Sequence, residues 1–244
     1  MRLNDYKRDD WSQFGEDGVI EHIFNVIGSQ HNRCMEFGAW DGFKMSNSAL
    51  WWKRHDWEAI LVELDTDKFG TLVANTAGRK TENHNFAVEP TGDHSVDNIL
   101  HGRELDFISI DVDGDDWLIW EGMKSKPRVV VIEYNSSIPL GVVLAQAKGE
   151  YFGASAQVML DIAKNKGYTL VEMNHANCFF VRDEYAPLFS AFEADPAKLF
   201  DPCHLAYVVS AYDRRCGLTR NESSWGSFDR SSGKPIQLAK GTLY

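Results

Sequence analysis

Two hydrophobic periodicities alternate along the chain and predict a β/α fold. Over 12–28, Val19, Ile23 and Ile27 recur at helical spacing, which predicts an amphipathic helix. Other runs are short, apolar and rich in β-branched residues, as is typical of strands buried on both faces. The first predicted strand begins at Cys34, and the next four cover 59–64, 84–88, 106–111 and 128–135. Strands that alternate with helices in this order form a parallel sheet with helices on both faces.

The second half of the pattern adds a hairpin and an extension. Further helices are predicted over 46–55, 65–79, 117–122 and 155–166. The segments 168–174 and 178–182 predict two strands joined by an HAN turn, which gives the sheet an antiparallel edge. We therefore expect one domain over 1–183. Residues 184–244 contain helical fragments and a Ser/Gly-rich tail, and we expect them to pack on that domain as a lid or an oligomer contact.

Composition narrows the classes of partner. A net charge of -11 argues against binding nucleic acid, whose phosphates require a basic surface. The four cysteines lie far apart and form no C-x-x-C pair, the first residues contain no apolar signal region, and the longest apolar runs are strand-sized. We therefore expect a cytoplasmic protein with reduced thiols and no membrane span. Composition leaves homo-oligomerisation open.

The stretch CMEFGAWDGFKMSN, over 34–47, joins the first strand to the next helix. Glu36, Gly38 and Gly42 form an E-x-G-x-x-x-G pattern, in which glycines permit a sharp turn and leave room for a ligand. Glu63 ends the second strand, 21 residues past Gly42, where a carboxylate can accept both hydroxyls of an adenosine ribose. The alternative interpretation is a purely structural turn and a solvated carboxylate.

Acidic and amide side chains also follow the fourth and fifth predicted strands. These are Asp111, Asp113, Glu133 and Asn135. Their oxygens suit a cationic ligand, a ribose or Mg²⁺, although carboxylates at strand ends often only cap the next helix. His175, in the HAN turn, is either a catalytic or substrate-contacting residue or simply exposed. It does not form a zinc site with Cys178, because no second ligand pair accompanies them.

The same stretches resemble the FkbM-type methyltransferases, a branch of the class I S-adenosylmethionine-dependent enzymes. The matching segments are SQFGEDGVIEHIF, MEFGAWDGFKMSN, LVELD, FISIDVDGDDWLIWEGM, VVVIEYN, GASAQVMLDIAKNKGY and NCFFVR, between Ser12 and Arg182. The resemblance implies an α/β, Rossmann-like three-layer α/β/α sandwich. It further implies a seven-stranded, mostly parallel sheet with an antiparallel last strand.

By this resemblance, the cofactor is S-adenosylmethionine, with Mg²⁺ as an optional second one. The implied cofactor-binding residues are Glu36, Gly38, Ala39, Gly42, Asn47, Glu63 and Asp111. The implied metal ligands are Asp111, Glu133 and Asn135. From their places at a strand end and in the HAN turn, we further expect Asp111, Asp113 and His175 to be the catalytic residues. The family commonly methylates a hydroxyl of a sugar or natural product, so a small-molecule or glycan acceptor is expected.

The sequence departs from related enzymes at two places. Ala39, Trp40 and Asp41 replace a further glycine in the turn, and the lysine of catechol-type enzymes is absent near Gly114. Two other functions stay open. The first is a methyltransferase fold that serves only for binding or as a partner subunit. The second is a nicotinamide-dependent oxidoreductase, which the missing G-x-G-x-x-G spacing disfavours.

Overall fold

A seven-stranded sheet forms the centre of the molecule, in the order β3-β2-β1-β4-β5-β7-β6. The computed structural model describes residues 1–205, 207–210, 212 and 216–219. The strands of this sheet are β1 (Arg33–Phe37), β2 (Glu58–Val62), β3 (Thr81–His84), β4 (Phe107–Ile110), β5 (Val129–Glu133), β6 (Tyr168–Met173) and β7 (Asn177–Arg182). The strands from β1 to β5 pair in parallel, and β7 is antiparallel to both of its neighbours. The predicted mostly parallel sheet with an antiparallel last strand is confirmed.

Helices cover both faces of this sheet, which confirms the three-layer sandwich. They are α1 (Glu16–Ile27), α2 (Ala49–Arg54), α3 (Thr66–Thr76), α4 (Val96–Leu100), α5 (Asp116–Gly122), α6 (Ala156–Lys166) and α7 (Pro196–Leu199). Successive strand residues point to opposite faces. Accordingly, Ile108 of β4 lies in the core beneath α4, α5 and α6, whereas Phe107 lies in the core beneath α1, α2 and α3. Burial on both faces explains the nearly uninterrupted apolar runs of the central strands.

Two elements between β2 and β4 differ from the prediction. The third strand is Thr81–His84 rather than 84–88, because β3 is a half-buried edge strand and lacks an apolar run. Phe86 and Val88, which suggested the strand, instead pack against the core from the loop that follows. The helix α4 was not predicted from the sequence, and the Ser95 side chain caps it by accepting from the backbone N–H of Asn98.

The predicted hairpin of β6 and β7 forms the antiparallel edge of the sheet. β6 is the edge strand, and β7 inserts between β5 and β6. In the region interpreted as helical fragments and tail, a separate two-stranded sheet also forms, from β8 (Tyr207–Ser210) and β9 (Cys216–Thr219). The Ser/Gly-rich tail over 220–244 lies outside the described residues. Across the described part of the chain, no helix combines the length and apolar character needed to cross a membrane.

The N-terminal segment is held against the domain by the two acids that open α1. Asp17 is buried and accepts hydrogen bonds from the backbone N–H groups of residues 10–12. Glu16 accepts from the side-chain amides of Asn174 and Asn177 at the turn after β6. Both acids therefore fix chain geometry next to the carboxyl edge of the sheet.

Candidate active site

The carboxyl ends of four adjacent strands bring the predicted acids to one edge of the sheet. The order β2-β1-β4-β5 is parallel throughout, so Glu36, Glu63, Asp111 and Glu133 all lie at or just beyond the same edge. Ligands of open α/β sheets bind beyond this edge. The tertiary structure assigns the four acids different environments.

Glu36 points inward and holds the turn. Its side chain accepts hydrogen bonds from the hydroxyls of Ser46 and Ser48, each at 2.6 Å, and from the Asn47 backbone N–H at 2.7 Å. Burial raises the pKa of this carboxyl, and the three hydrogen bonds oppose that rise. Asn47 is also buried, and its amide donates to the Ser109 hydroxyl at 3.0 Å. Both predicted cofactor residues therefore fasten the segment before α2 to β1 and β4.

Gly38, the first residue after β1, is exposed and adopts a left-handed backbone with a φ of 64°. A Cβ at this position would collide with the backbone carbonyl oxygen of Asp111, so only glycine lets the two strand ends approach so closely. Ala39 and Gly42 are buried; the Ala39 backbone N–H donates to Val62 of β2, and Gly42 has a φ of 87°. Of these three, Gly38 offers open backbone to a ligand.

Glu63 is oriented by two backbone N–H groups, those of Trp40 and Asp65, each at 2.8 Å. Each carboxylate oxygen accepts one of these bonds, so each keeps a further acceptor position. The Trp40 ring lies between two ammonium groups, Lys44 at 3.9 Å and Lys68 at 3.7 Å, which hold the turn against α3. The turn thus presents the Glu63 carboxylate in a fixed direction.

Leu64 corrects the predicted strand over 59–64. β2 ends at Val62, and the Leu64 side chain is 66% exposed directly beside Glu63. An exposed large apolar side chain beside an oriented carboxylate offers a surface for a flat, uncharged ring. Leu64 was predicted to lie inside the strand. The sequence signal for its exposed position is that it directly follows the strand-end acid Glu63.

Asp111, Asp113 and Glu133 form what we name the carboxylate cluster, in which one oxygen of each lies within 4.8 Å of the others. Asp113 has a left-handed backbone with a φ of 58°, which turns the chain back after β4. The side chain of Asp116 holds that turn by accepting from the backbone N–H groups of Val112 at 2.7 Å and Gly114 at 2.8 Å. Asp116 therefore shapes the cluster.

Like charges and burial dominate the electrostatics of the cluster. Burial, followed by Asp116 and Asp113, raises the pKa of Asp111 well above its usual range. Burial and then Asp111 do the same to the pKa of Glu133. Burial also raises the pKa of Asp116 to about 6, against the backbone hydrogen bonds that it accepts. The charges acting most strongly on Asp111 are all carboxylates, so the arrangement favours either a shared proton or a bound cation.

The Asn135 side chain makes its hydrogen bonds within the connection that follows β5. Its carbonyl oxygen accepts from the backbone N–H of Ser137 at 2.9 Å, and its amide donates to the Phe152 carbonyl at 2.8 Å. It therefore braces the connection between β5 and α6. That connection also brings Tyr151 beside Asp113, where burial and then the Asp113 charge raise the pKa of the phenol. Further exposed apolar side chains in this connection are Val142, Val143, Leu144 and Phe152.

His175 belongs to a second group of side chains. Its ring contacts Phe14, and its Nδ1 lies 3.1 Å from Nε2 of His204 and 3.8 Å from Sγ of Cys203. Cys178, weighed as its zinc partner, is instead buried within β7. The predicted catalytic residues are therefore divided, with Asp111 and Asp113 in the carboxylate cluster and His175 in this second group.

No protein-family model matches the sequence, and no curated protein matches it. Solved structures with a similar fold include the N-terminal domain of EvdMO1 in the presence of SAH and D-fucose. It is 11% identical and has a TM-score of 0.42, and the match covers 68% of this chain and 80% of that one. Another is SAM-bound CalS10, an amino pentose methyltransferase from Micromonospora echinaspora, at 12% identity and a TM-score of 0.39, covering 67% and 96%. A TehB-like SAM-dependent methyltransferase from Corynebacterium glutamicum gives 10% identity and a TM-score of 0.44, covering 69% and 88%. Such identities and TM-scores support no statement about activity.

Proposed function

We propose that the protein is an S-adenosylmethionine-dependent O-methyltransferase that acts on a hydroxyl of a sugar-like or natural-product small molecule, with Mg²⁺ at the carboxylate cluster. The observation that carries this proposal is the joint placement of Gly38, Glu63 and the cluster at one edge of the sheet. Each of the three supplies a different requirement of the reaction.

The cofactor-binding part of the proposal rests on Gly38, Glu63 and Leu64. Gly38 presents exposed backbone where a side chain has no room. Glu63 keeps an acceptor position on each oxygen for a pair of ribose hydroxyls, and Leu64 offers its apolar surface to the adenine ring. S-adenosylmethionine supplies a methyl group already activated by a sulfonium, so the protein mainly aligns the acceptor and removes its proton.

The metal-binding part rests on the donor set. Three carboxylates within 4.8 Å of one another provide the hard oxygen ligands that Mg²⁺ prefers. These carboxylates would hold a divalent cation, which when bound would lower the pKa of the acceptor hydroxyl. Asp113 is the exposed member of the cluster, and we assign to it the acceptance of the proton from the acceptor hydroxyl. Tyr151 lies beside Asp113, and the exposed apolar side chains of the same connection suit the less polar face of the acceptor.

The first experiment is a calorimetric titration with S-adenosylhomocysteine and, separately, with NAD. Leu64→Ser tests the pocket without disturbing the core, because this side chain is exposed in the free protein. Losing the burial of one leucine on binding costs about 1.5–3 kcal/mol, which weakens the affinity for S-adenosylhomocysteine by roughly tenfold to 100-fold. The matched control is Val73→Ser, an exposed apolar residue of α3, which leaves the affinity unchanged.

A methyl-transfer assay over a panel of glycans and metabolites, with Mg²⁺ or with EDTA, tests the reaction itself. Methylation that EDTA abolishes is the expected result. Activity that is indifferent to EDTA would remove the metal from the proposal. Tight binding of NAD without binding of S-adenosylhomocysteine would refute the methyltransferase assignment and favour an oxidoreductase. Binding of S-adenosylhomocysteine with no turnover of any acceptor would favour the non-catalytic alternative.

A further inference from the structure

The second group of side chains has the composition of a transition-metal site. His175, Cys203 and His204, which we name the histidine–cysteine cluster, each offer one ligand atom, and these three atoms lie within 4.8 Å of one another. Asp201 adds a carboxylate, whose Oδ2 lies 3.6 Å from Nδ1 of His175. Two imidazoles, a thiol and a carboxylate are the nitrogen, sulfur and oxygen donors that Zn²⁺ takes.

The separations agree with tetrahedral coordination. With Zn–N bonds of about 2.0–2.1 Å and a Zn–S bond of about 2.3 Å, tetrahedral angles place two nitrogens about 3.3 Å apart and nitrogen and sulfur about 3.6 Å apart. The structure has 3.1 Å between the two ring nitrogens of His175 and His204 and 3.8 Å between the His175 nitrogen and the Cys203 sulfur. The two imidazole planes are nearly perpendicular, at 89°, so the two rings do not stack.

Charge and local backbone also suit such a site. A thiolate and a carboxylate together balance the charge of Zn²⁺, and the two imidazoles bind in their neutral form. Asp201 accepts the Cys203 backbone N–H at its other oxygen, 2.9 Å away, which fixes its orientation at the start of the short 3-10 helix Pro202–His204. Metal ligands are commonly oriented by such outer hydrogen bonds.

We propose that His175, Cys203 and His204 bind a zinc ion that fastens the chain after α7 to the turn between β6 and β7. These three ligands leave one tetrahedral position for water, and the Asp201 carboxylate lies beside His175 without coming within 4.8 Å of all three ligand atoms. Of the three ligands, His175 alone lies in the turn, and Cys203 and His204 are neighbours after α7. The metal thus joins two segments that are distant in sequence, and its binding contributes to the stability of this part of the fold.

The test uses the reduced, full-length protein after removal of metals by a chelator. Titration with Co²⁺ under anaerobic conditions is expected to produce the thiolate-to-cobalt charge-transfer band and the strong visible bands of tetrahedral coordination, and Zn²⁺ then abolishes both. The carboxylate cluster offers only oxygen ligands, so Co²⁺ bound there gives no thiolate band. The spectrum therefore separates this proposal from the proposed function.

Two variants locate the ligands. Cys203→Ser removes the charge-transfer band, and His204→Gln weakens Zn²⁺ binding at least tenfold, since outer partners of metal ligands alone account for about 10–100-fold. The matched controls are Cys178→Ala, a buried thiol of β7, and His94→Gln, an exposed histidine, and both keep the band.

Stability provides a second measurement. Zn²⁺ raises the thermal midpoint of the wild-type protein and leaves that of Cys203→Ser unchanged, while both proteins retain the same affinity for S-adenosylhomocysteine. The proposal is overturned if the reduced wild-type protein gives no thiolate band with Co²⁺, or if the band persists in Cys203→Ser.

Discussion

Neutralising Asp111 is expected to stabilise the metal-free protein while abolishing its response to Mg²⁺. The substitution Asp111→Asn keeps the size of the side chain and removes one of the charges in the carboxylate cluster. The asparagine amide can still donate to Glu133, whose pKa is raised by burial and then by repulsion from Asp111. Residues that bind a ligand often destabilise the ligand-free protein. A substitution that stabilises the metal-free protein and removes its response to Mg²⁺ therefore identifies a binding site.

The expected magnitude follows from the spacing of the carboxylates. Two unit charges 4.8 Å apart repel by about 3.5 kcal/mol at an effective dielectric constant near 20, and by about 0.9 kcal/mol in bulk water. Partial protonation avoids some of this cost, because Asp111 and Glu133 both have raised pKa values. We therefore expect Asp111→Asn to increase the free energy of unfolding by about 1–3 kcal/mol at pH 8. For a domain of this size, each kcal/mol corresponds to roughly 2–4 °C in the thermal midpoint.

The raised pKa values also determine how the stability of the metal-free protein changes with pH. A carboxyl group whose pKa is raised in the folded state binds protons more tightly there than in the unfolded state. Its contribution to stability is complete below the unfolded pKa, near 4, and is lost as the pH rises through the folded pKa. The wild-type protein without metal therefore loses stability as the pH rises from 5 to 8, because the pKa of Asp116 is about 6 and the pKa values of Asp111 and Glu133 are also raised. The increase in the free energy of unfolding that Asp111→Asn produces is therefore smaller at pH 5 than at pH 8.

Urea unfolding in EDTA, at pH 5 and pH 8, measures this effect. The matched control is Asp93→Asn, an exposed acid in the connection between β3 and α4, which is expected to change neither value. Adding Mg²⁺ at about 100 times its dissociation constant stabilises the wild-type protein by about 2.7 kcal/mol and has little effect on Asp111→Asn. The reasoning is refuted if Asp111→Asn is less stable than the wild type at pH 8 in EDTA, or if its advantage is the same at both pH values.

Two further predictions concern the ends of the strands. Arg128→Met is expected to lower the free energy of unfolding in urea by about 3–5 kcal/mol, because it leaves the carboxylate of Asp106 fully buried without its ion-pair partner; a loss below about 1 kcal/mol would contradict this. Gly38→Ala is expected to cost at least about 1–2 kcal/mol for its left-handed backbone and to weaken S-adenosylhomocysteine binding, because its Cβ collides with the carbonyl of Asp111. Gly70→Ala, within α3 and with open space around it, is the control and should be neutral or slightly stabilising. Unchanged stability and affinity in Gly38→Ala would refute the proposed close approach of the two strand ends.

The amino-acid pattern was sufficient to predict the architecture, because a buried strand requires a local run of apolar residues. Central strands buried on both faces require continuous apolar runs, and this is why β1, β2, β4 and β5 could be located from the sequence. The half-buried edge strand β3 has no such apolar run, and its predicted position was wrong. The convergence of strand-end acids followed equally from the sequence, because parallel strands place their carboxyl ends at the same edge.

The direction of each side chain at that edge was decided by tertiary structure. Glu36 turns inward because the Ser46 and Ser48 hydroxyls reach it across the turn, whereas Glu63 is oriented by the backbone of two separate segments. Asp113 enters the carboxylate cluster through its left-handed backbone and the hydrogen bonds of Asp116. Spacing along the chain does not encode such contacts, since each depends on a second segment.

The same reason accounts for the histidine–cysteine cluster. The sequence offered His175 alone in its turn, and its nearest cysteine, Cys178, points into the core of the sheet. The partners Cys203 and His204 lie 28 and 29 residues away and meet His175 only after the chain has passed through β7 and α7. Hydrophobic periodicity therefore determined the order of layers and strands. The folded chain alone decided which polar side chains meet, because their meeting depends on contacts between segments far apart in sequence.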